Sequence, residues 1–333
     1  MGLESFIRNM KNRALSNKSS FNFIIRVINM PIIGNIYDFF YLRYIRNKVN
    51  TSKFTLAIEP NNTCNLRCIM CPYKKMKRKK EIMSMQLFKK IVDQASEIGC
   101  KEVALAQYNE PFLDKDIFER IKYLRKKGIK SIIYSNGTLM GEEMRKKALE
   151  NPPDTIRFSV DGATKKTFES IRIGANYENV VNNIIALYRE RNKRKQNLPV
   201  IEVYFTILEK NKNETRAFLK FWRGKCDFAS LYPSDSREST KDVWINYSNL
   251  KSYPCLNPKR IYVLSNGKLA FCCIDVDGYM PLGDLKKQSL KEILNSGKLK
   301  KIYESQMRRK CNIPVCKNCS KYYVDSAFAW WFY

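Results

Sequence analysis

The chain has 333 residues, 44% of them hydrophobic, and its 61 Lys and Arg outweigh 32 Asp and Glu to give a formal charge of +29. Such a length supports one large core or two smaller ones, and the charge favours anionic partners without dictating a fold. Histidine is absent, which excludes mixed Cys/His zinc sites, His-ligated iron and histidine acid–base chemistry. The 11 cysteines are clustered in a long chain with no secretory leader pattern at its start. That spacing points to metal in a reducing cytoplasm rather than to a disulfide framework.

Residues 21–45 are apolar and aromatic but interrupted by Arg26, Asn29, Pro31, Asn35 and Asp38. No stretch there reaches the roughly 20 apolar residues of a spanning helix. Two short amphipathic helices broken at Pro31 are expected, suited to a membrane interface or to packing on the rest of the protein. Strand-like and helix-like segments then alternate. Strands are predicted at 55–59, 102–106, 131–134, 155–160, 200–207 and 228–232, and helices at 83–98, 115–127, 141–149, 177–192 and 214–222. Gly128 suits the C-cap of one helix, and Asn151-Pro152-Pro153 ends another. Repeated β–α units imply an α/β fold with a parallel sheet, open or curled into a partial barrel, whose functional residues lie at the carboxyl ends of its strands. The pattern changes near Pro233. Residues 234–253 are polar and irregular, 260–273 read as a hairpin around Ser265-Asn266-Gly267, and a helix is predicted over 290–303. The expected domains are an arm over 1–50, an α/β domain over 51–233 and a smaller α+β domain over 234–333.

Cys64, Cys68 and Cys71, in CNLRCIMC, follow the first predicted strand. Three thiolates this close form a metal grip, and three is one fewer than a four-iron cube needs, which leaves one iron open to a small molecule. A partial zinc knuckle is the competing reading. Lys74, Lys75, Lys77, Arg78, Lys79 and Lys80 crowd the next stretch, as a solvated loop or as an anion-binding lip.

This constellation resembles the radical S-adenosylmethionine (SAM) superfamily. The resemblance implies a partial (β/α)6 TIM-like barrel. Three cysteines would hold a 4Fe–4S cluster, and SAM would chelate its fourth iron. It further implies that Met70 lies against adenine and that Asn109-Glu110-Pro111 stands where the family usually has Gly-Glu-Pro, its glutamate accepting the SAM amino group. Ser135-Asn136-Gly137 resembles the element near the ribose, Ser159-Val160-Asp161-Gly162 another recurring element, and Arg172 an arginine that pairs with the SAM carboxylate. Residues 234–333 resemble the SPASM/twitch extension of the same superfamily. There Cys255, Cys272, Cys316 and Cys319 would ligate one auxiliary 4Fe–4S cluster, with Cys273 as an alternative to Cys272 because adjacent strand residues face opposite ways. Cys226 and Cys311 are spare and could donate a hydrogen atom.

The activity so implied is radical generation from SAM and hydrogen abstraction from a substrate carbon. The expected reaction is oxidation of a sugar-like, lipid-linked or other anionic substrate, with the auxiliary cluster as electron acceptor. Flavodoxin or ferredoxin is the expected electron donor, nucleic acid is not an expected partner, and a cytoplasmic location with peripheral membrane contact suits the arm. Peptide maturation and epimerisation stand as alternatives within the class. A zinc-bearing nucleic-acid-binding protein stands outside it.

Overall fold

The structure is a computed structural model. It describes residues 54–234 and 260–307 without a break, together with scattered residues between 8 and 43, Ile313 and Cys316. Among the described residues nine strands form one sheet: β1 (Thr55–Ile58), β2 (Glu102–Leu105), β3 (Lys130–Ser135), β4 (Thr155–Ser159), β5 (Val200–Ile207), β6 (Phe228–Pro233), β7 (Arg260–Val263), β8 (Lys268–Ala270) and β9 (Pro281–Asp284). Their order is β6-β5-β4-β3-β2-β1-β7-β8-β9. Every pair from β6 to β7 is parallel, and β7-β8-β9 is antiparallel. The first six strands stand in chain order, as repeated right-handed β–α units produce, and make the partial barrel. The hairpin over 260–273 is present as β7 and β8, and β7 extends the barrel sheet alongside β1.

The helices are α1 (Met85–Glu97), α2 (Ile117–Lys126), α3 (Glu142–Glu150), α4 (Lys165–Ile171), α5 (Tyr177–Lys193), α6 (Thr215–Trp222), α7 (Leu290–Asn295) and α8 (Lys298–Met307). Polar N-caps start several of them: Ser84 accepts from Leu87 N, Thr164 from Thr167 N, and Ser289 forms a capping box with Glu292. The sequence predicts one helix over 290–303. The structure has two, because Gly297 takes a left-handed φ of +76° between them and ends the first helix. Helix α4 is too short for its period to stand out in the sequence, and β9 reads Pro-Leu-Gly-Asp, whose Pro281 and Gly283 signal a turn rather than a strand.

Alternation along the strands divides the side chains between two faces. In β4, Ile156 and Phe158 join the large core between sheet and helices, and that core also holds Phe88, Ile121, Phe168, Ile184, Phe205 and Trp222. The inner face carries a small apolar group of Ala57, Ala104, Ile132, Tyr262, Leu264 and Ala270. Further round, it carries Arg157, Glu202 and a set of tyrosines. Leu15 is buried at 1% exposure. Asn12, on the same helical segment, donates from Nδ2 to Ala229 O (2.9 Å) and accepts from Leu231 N (3.0 Å). Its amide thus supplies the open edge of β6 with the partners a strand would have given. The part of the arm expected to be amphipathic differs. Its described residues include Phe23, Ile32, Ile33, Ile36, Phe39 and Phe40, all exposed.

Candidate active site

The carboxyl ends of β1 to β4 meet in one polar cluster. After β1 the chain turns through Asn61 and Asn62, both fully buried. Asn61 Nδ2 donates to Glu110 O (3.2 Å), Glu110 N donates to Thr63 O (2.8 Å), and Asn62 clasps the backbone of Lys79 and Glu81 (both 2.7 Å). The cysteine loop is thereby fixed at its root to the loop after β2. Its far side is fixed to the turn after α4: Arg67 N donates to Ile173 O and Ile69 N to Ile171 O, each at 3.0 Å.

Cys68 is buried, and Cys64 and Cys71 are half-buried. Leu66 N donates to Cys64 Sγ (3.5 Å), and Arg172 Nη1 reaches Cys68 Sγ (3.6 Å). Burial pushes the Cys64 thiol up to about 11, and the neighbouring Cys68 and Cys71 add to the rise. Burial also raises Cys68, against the pull of Arg172. The three thiols are therefore electrostatic neighbours, yet among the described residues no three Cys, Asp or Glu side chains converge on a point as one bound ion would require. A four-iron cube spreads its thiolates over separate corners. Three thiols on one anchored loop, with N–H donors already at two sulfurs, fit such a cluster.

Arg172 is held in place by Asp161, which takes Nε at 2.6 Å and Nη2 at 2.5 Å. The other Asp161 oxygen accepts from Thr206 N (2.7 Å), and Asn211 Nδ2 donates to the Asp161 carbonyl (3.0 Å). Gly162 lets α4 approach this turn, since a Cβ there would stand 2.6 Å from Phe168 N. Asp161 is thus the buried support of Arg172 rather than an open surface group.

Glu110 is buried within a second knot. Its Oε1 accepts from Ser135 Oγ (2.9 Å) and Phe112 N (3.3 Å), and its Oε2 from Asn136 N (2.7 Å). Burial raises its pKa to about 7, opposed by those hydrogen bonds and by Arg172. Asn136 Nδ2 continues the network to Asn65 Oδ1 (2.9 Å), and Asn65 lies inside the cysteine motif. Gly137, at φ +77°, closes the turn that makes these contacts. Asn109 accepts from Gln107 N through Oδ1 (2.8 Å), while its Nδ2 is buried without a partner among the described residues. An unpaired buried donor at this rim fits a cofactor that brings an acceptor. Met70 packs at the margin of the large core, and Ser159 ends β4 opposite Tyr204.

Asn61, Asn62, Asn65 and Asp161-bound Thr206 escaped the sequence reading; a run of Asn and Thr beside a cysteine triplet was the available signal. The basic run divides. Lys74, Lys75, Lys77, Lys79 and Lys80 are exposed, whereas Arg78 is half-buried, with its side chain turned inward onto Glu59 in a bidentate pair at 2.7 and 2.9 Å.

Beyond β8, Cys273 packs against the inner apolar group beside Tyr134. Its carbonyl accepts from Tyr108 Oη (2.6 Å) and Gln107 Nε2 (3.1 Å). The cysteine-bearing turn of the hairpin is therefore fastened to the loop that carries Asn109 and Glu110. Cys316 is buried and accepts from Gln306 Nε2 (3.6 Å). Cys255, Cys311 and Cys319 lie outside the described residues. Cys226 faces the helix–sheet core, its thiol directed to the carbonyls of Trp222 (3.5 Å) and Phe228 (3.3 Å). Burial lifts it to about 12, with Asp227 and Glu202 adding to the rise.

The family model of the radical SAM superfamily matches residues 58–221, and that of an iron–sulfur cluster-binding domain, SPASM, matches residues 255–320. This chain belongs to the radical SAM superfamily. It carries a SPASM region at its C-terminal end, its cofactors are 4Fe–4S clusters and SAM, and the zinc-based nucleic-acid reading falls away. A relative in Pyrococcus furiosus, the tungsten-containing aldehyde ferredoxin oxidoreductase cofactor-modifying protein, is 32% identical over 107 residues, 32% of this chain and 30% of that protein. Fe-coproporphyrin III synthase of Methanosarcina barkeri is 28% identical over 158 residues, 45% and 39% of the two chains. A probable GTP 3',8-cyclase of Methanococcus maripaludis is 26% identical over 172 residues, 51% and 54%. The matches thus span 30% to 54% of these curated relatives.

Among solved structures, BtrN in complex with AdoMet and 2-DOIA aligns at a TM-score of 0.54 and 17% identity, over 80% of this chain and 92% of that one. The anSMEcpe protein with bound AdoMet aligns at 0.60 and 17%, over 82% and 92%. Streptococcus suis SuiB bound to S-adenosylmethionine aligns at 0.60 and 15%, over 77% and 70%. At these identities the likeness establishes the fold: a partial TIM-like barrel followed by a smaller unit.

Proposed function

We propose that the chain is a radical SAM oxidoreductase that dehydrogenates a sugar-like, lipid-linked or other anionic substrate. The observation that carries this reading is the pair of hydrogen bonds from Gln107 and Tyr108 to the Cys273 carbonyl. They join the expected auxiliary-cluster turn to the SAM-site rim, where an electron acceptor is needed. When bound, the SAM-site cluster and SAM would supply a 5′-deoxyadenosyl radical able to take a hydrogen atom from a hydroxyl-bearing carbon, and loss of the hydroxyl proton and of one electron, for which the auxiliary cluster would be the acceptor, would leave a carbonyl.

The chain's own residues hold and orient these groups. Cys64, Cys68 and Cys71 hold the SAM-binding cluster. Arg172, fixed by Asp161, offers its guanidinium beside Cys68 to the SAM carboxylate. Asn109 presents an unpaired N–H, and Met70, Ser135, Asn136 and Ser159 complete the rim. Glu110 acts mainly by fixing the Ser135-Asn136 turn, with one further lone pair on Oε2 for the SAM amino group. Cys255, Cys272, Cys316 and Cys319 hold one auxiliary cluster. Cys273 faces the inner apolar group, which supports Cys272 as the ligand. The domain layout is the arm over 1–50, the barrel over 51–233 and the auxiliary unit over 234–333. The exposed lysines of residues 74–80 give an acidic flavodoxin or ferredoxin a docking face. The exposed apolar residues of the arm reach a membrane surface.

Two measurements test this. Anaerobically purified protein should contain about eight irons; Cys272→Ala should lower that to about four, and Cys273→Ala should not. The product should be two hydrogens lighter than the substrate. An equal-mass epimer, or a product on a ribosomal peptide, would overturn the oxidation of a small anionic substrate.

A further inference from the structure

TIM-type barrels fill their interior with layers of branched apolar side chains. Here one layer is polar. Register sets Tyr134 beside Arg157 and Arg157 beside Glu202 across β3, β4 and β5. Tyr204 and Ser230 form the next row. Arg157 Nε donates to Glu202 Oε2 (3.1 Å) and Nη1 to the Tyr134 hydroxyl (2.5 Å). The guanidinium carbon lies 5.2 Å from the Tyr134 ring centroid and 5.4 Å from that of Tyr204. Tyr232 meets Tyr204 edge-on at 4.4 Å and donates to its hydroxyl (3.1 Å).

Among the described residues the charge in this layer does not balance. Glu202 serves two cations: its Oε1 takes Arg8 Nη1 (2.8 Å) as well as Ser230 Oγ (2.8 Å). Arg8 and Arg157 against one carboxylate leave one positive charge in a largely enclosed setting. Such a charge is costly unless an anion reaches it. Arg157 is also not sealed. Its side chain keeps 23% of its surface exposed, and Nη2 has no partner among the described residues. Arg157 lies two positions before Ser159 and four before Asp161 on the same strand and turn. It therefore stands one layer below the rim that Asp161 and Arg172 form. A substrate entering at that rim meets it end-on.

We propose that Arg157 is the docking point for an oxyanion of the substrate, a carboxylate or a phosphate, with the Tyr134 and Tyr204 rings as its walls. The inference deepens the reading of an anionic substrate and rests on it. Glu202 and Arg8 act as positioning residues. They hold the guanidinium with one edge toward the interior, and the bidentate geometry of arginine suits either oxyanion. The anion would fix the substrate's distance from the rim and so select which carbon is presented there.

The test is calorimetric titration of the anaerobic, SAM-loaded holoenzyme with inorganic phosphate and, separately, with acetate. It is run without reductant in about 0.5 M salt, where exposed charges are screened within a few ångström. One saturable site is expected, and the tighter probe identifies the oxyanion. Arg157→Gln should weaken binding about tenfold or more. Glu202→Gln should tighten it, because the competing carboxylate is removed; a purely structural network would give loss or no change. If Arg157→Gln does not fold, the sign of the Glu202→Gln effect decides. Absence of a saturable site, weakening by Lys77→Ala with Arg157→Gln unaffected, or loss of binding in Glu202→Gln would each overturn the assignment. Because no turnover is involved, a redox-neutral product would defeat the oxidation reading while leaving this binding result standing.

Discussion

Glu110 shows how one buried carboxyl can carry both architecture and pH dependence. Its oxygens fix the Ser135-Asn136 turn, while burial raises its pKa to about 7. An acid whose folded pKa lies above its unfolded one contributes stability that is present below the unfolded pKa of about 4.5 and is lost as pH rises through about 7. The difference of two to three pKa units is worth about 3 kcal/mol. In thermal melts of wild type and Glu110→Gln between pH 4.5 and 7.5, the wild type should lose stability relative to the variant as pH rises. Parallel curves would refute the raised value. Asp114 and Arg120 show the other side of burial. Both side chains are fully buried, with Arg120 Nε 2.6 Å from Asp114 and Nη2 on Met83 O. Asp114→Ala leaves an uncompensated guanidinium and should destabilise by about 3–5 kcal/mol in urea unfolding. A loss below about 1 kcal/mol would mean that solvent reaches the pair.

At the scale of elements, the site is made by loops that clamp one another. The cysteine loop borrows backbone partners from the turn after α4, and the β2 loop ties both to the cysteine-bearing turn after β8. The close packing of α4 depends on Gly162. A methyl group there would lie 2.6 Å from a backbone nitrogen, so Gly162→Ala should cost about 1–3 kcal/mol and displace Arg172 from Cys68. Weaker SAM retention on gel filtration at an undiminished iron content would show this displacement; unchanged retention would show that the turn yields without moving Arg172. The hydrophobic period revealed the six barrel strands and their helices because each has one apolar face over a long enough run. It missed α4, which is short, and β9, whose Pro281 and Gly283 read as a turn, and it merged α7 with α8 because Gly297 breaks a pattern whose apolar spacing continues across it.

For the whole molecule, the sheet is continuous from β6 to β9, so the auxiliary region extends the barrel. The arm is divided. Asn12 binds the β6 edge, Arg8 pairs with Glu202 on β5 and Leu15 is buried in the core, whereas the exposed residues include Ile32, Ile33, Ile36, Phe39 and Phe40, spaced as one helical stripe. Among the described residues no helix is long and apolar enough to cross a membrane. With a chain charge of +29, such a stripe should bind anionic vesicles and release them when Phe39 and Phe40 are changed to Ser. Co-sedimentation with phosphatidylglycerol vesicles measures this, and binding that persists in the double variant would show charge alone at work.

The amino-acid sequence determined the chemistry. A cysteine spacing and each short motif are written in consecutive residues, and the lack of histidine and the order of the motifs are read along the chain without knowledge of its fold. It also determined the β–α rhythm, since periodicity needs no knowledge of what packs where. Only the tertiary structure decided that Glu110 turns to Ser135 and Asn136, that Cys273 packs against the inner apolar group, and that Arg8 and Arg157 share a single carboxylate. Those outcomes depend on which side of a strand a residue occupies and which distant segment lies opposite. Long-range register and burial set both.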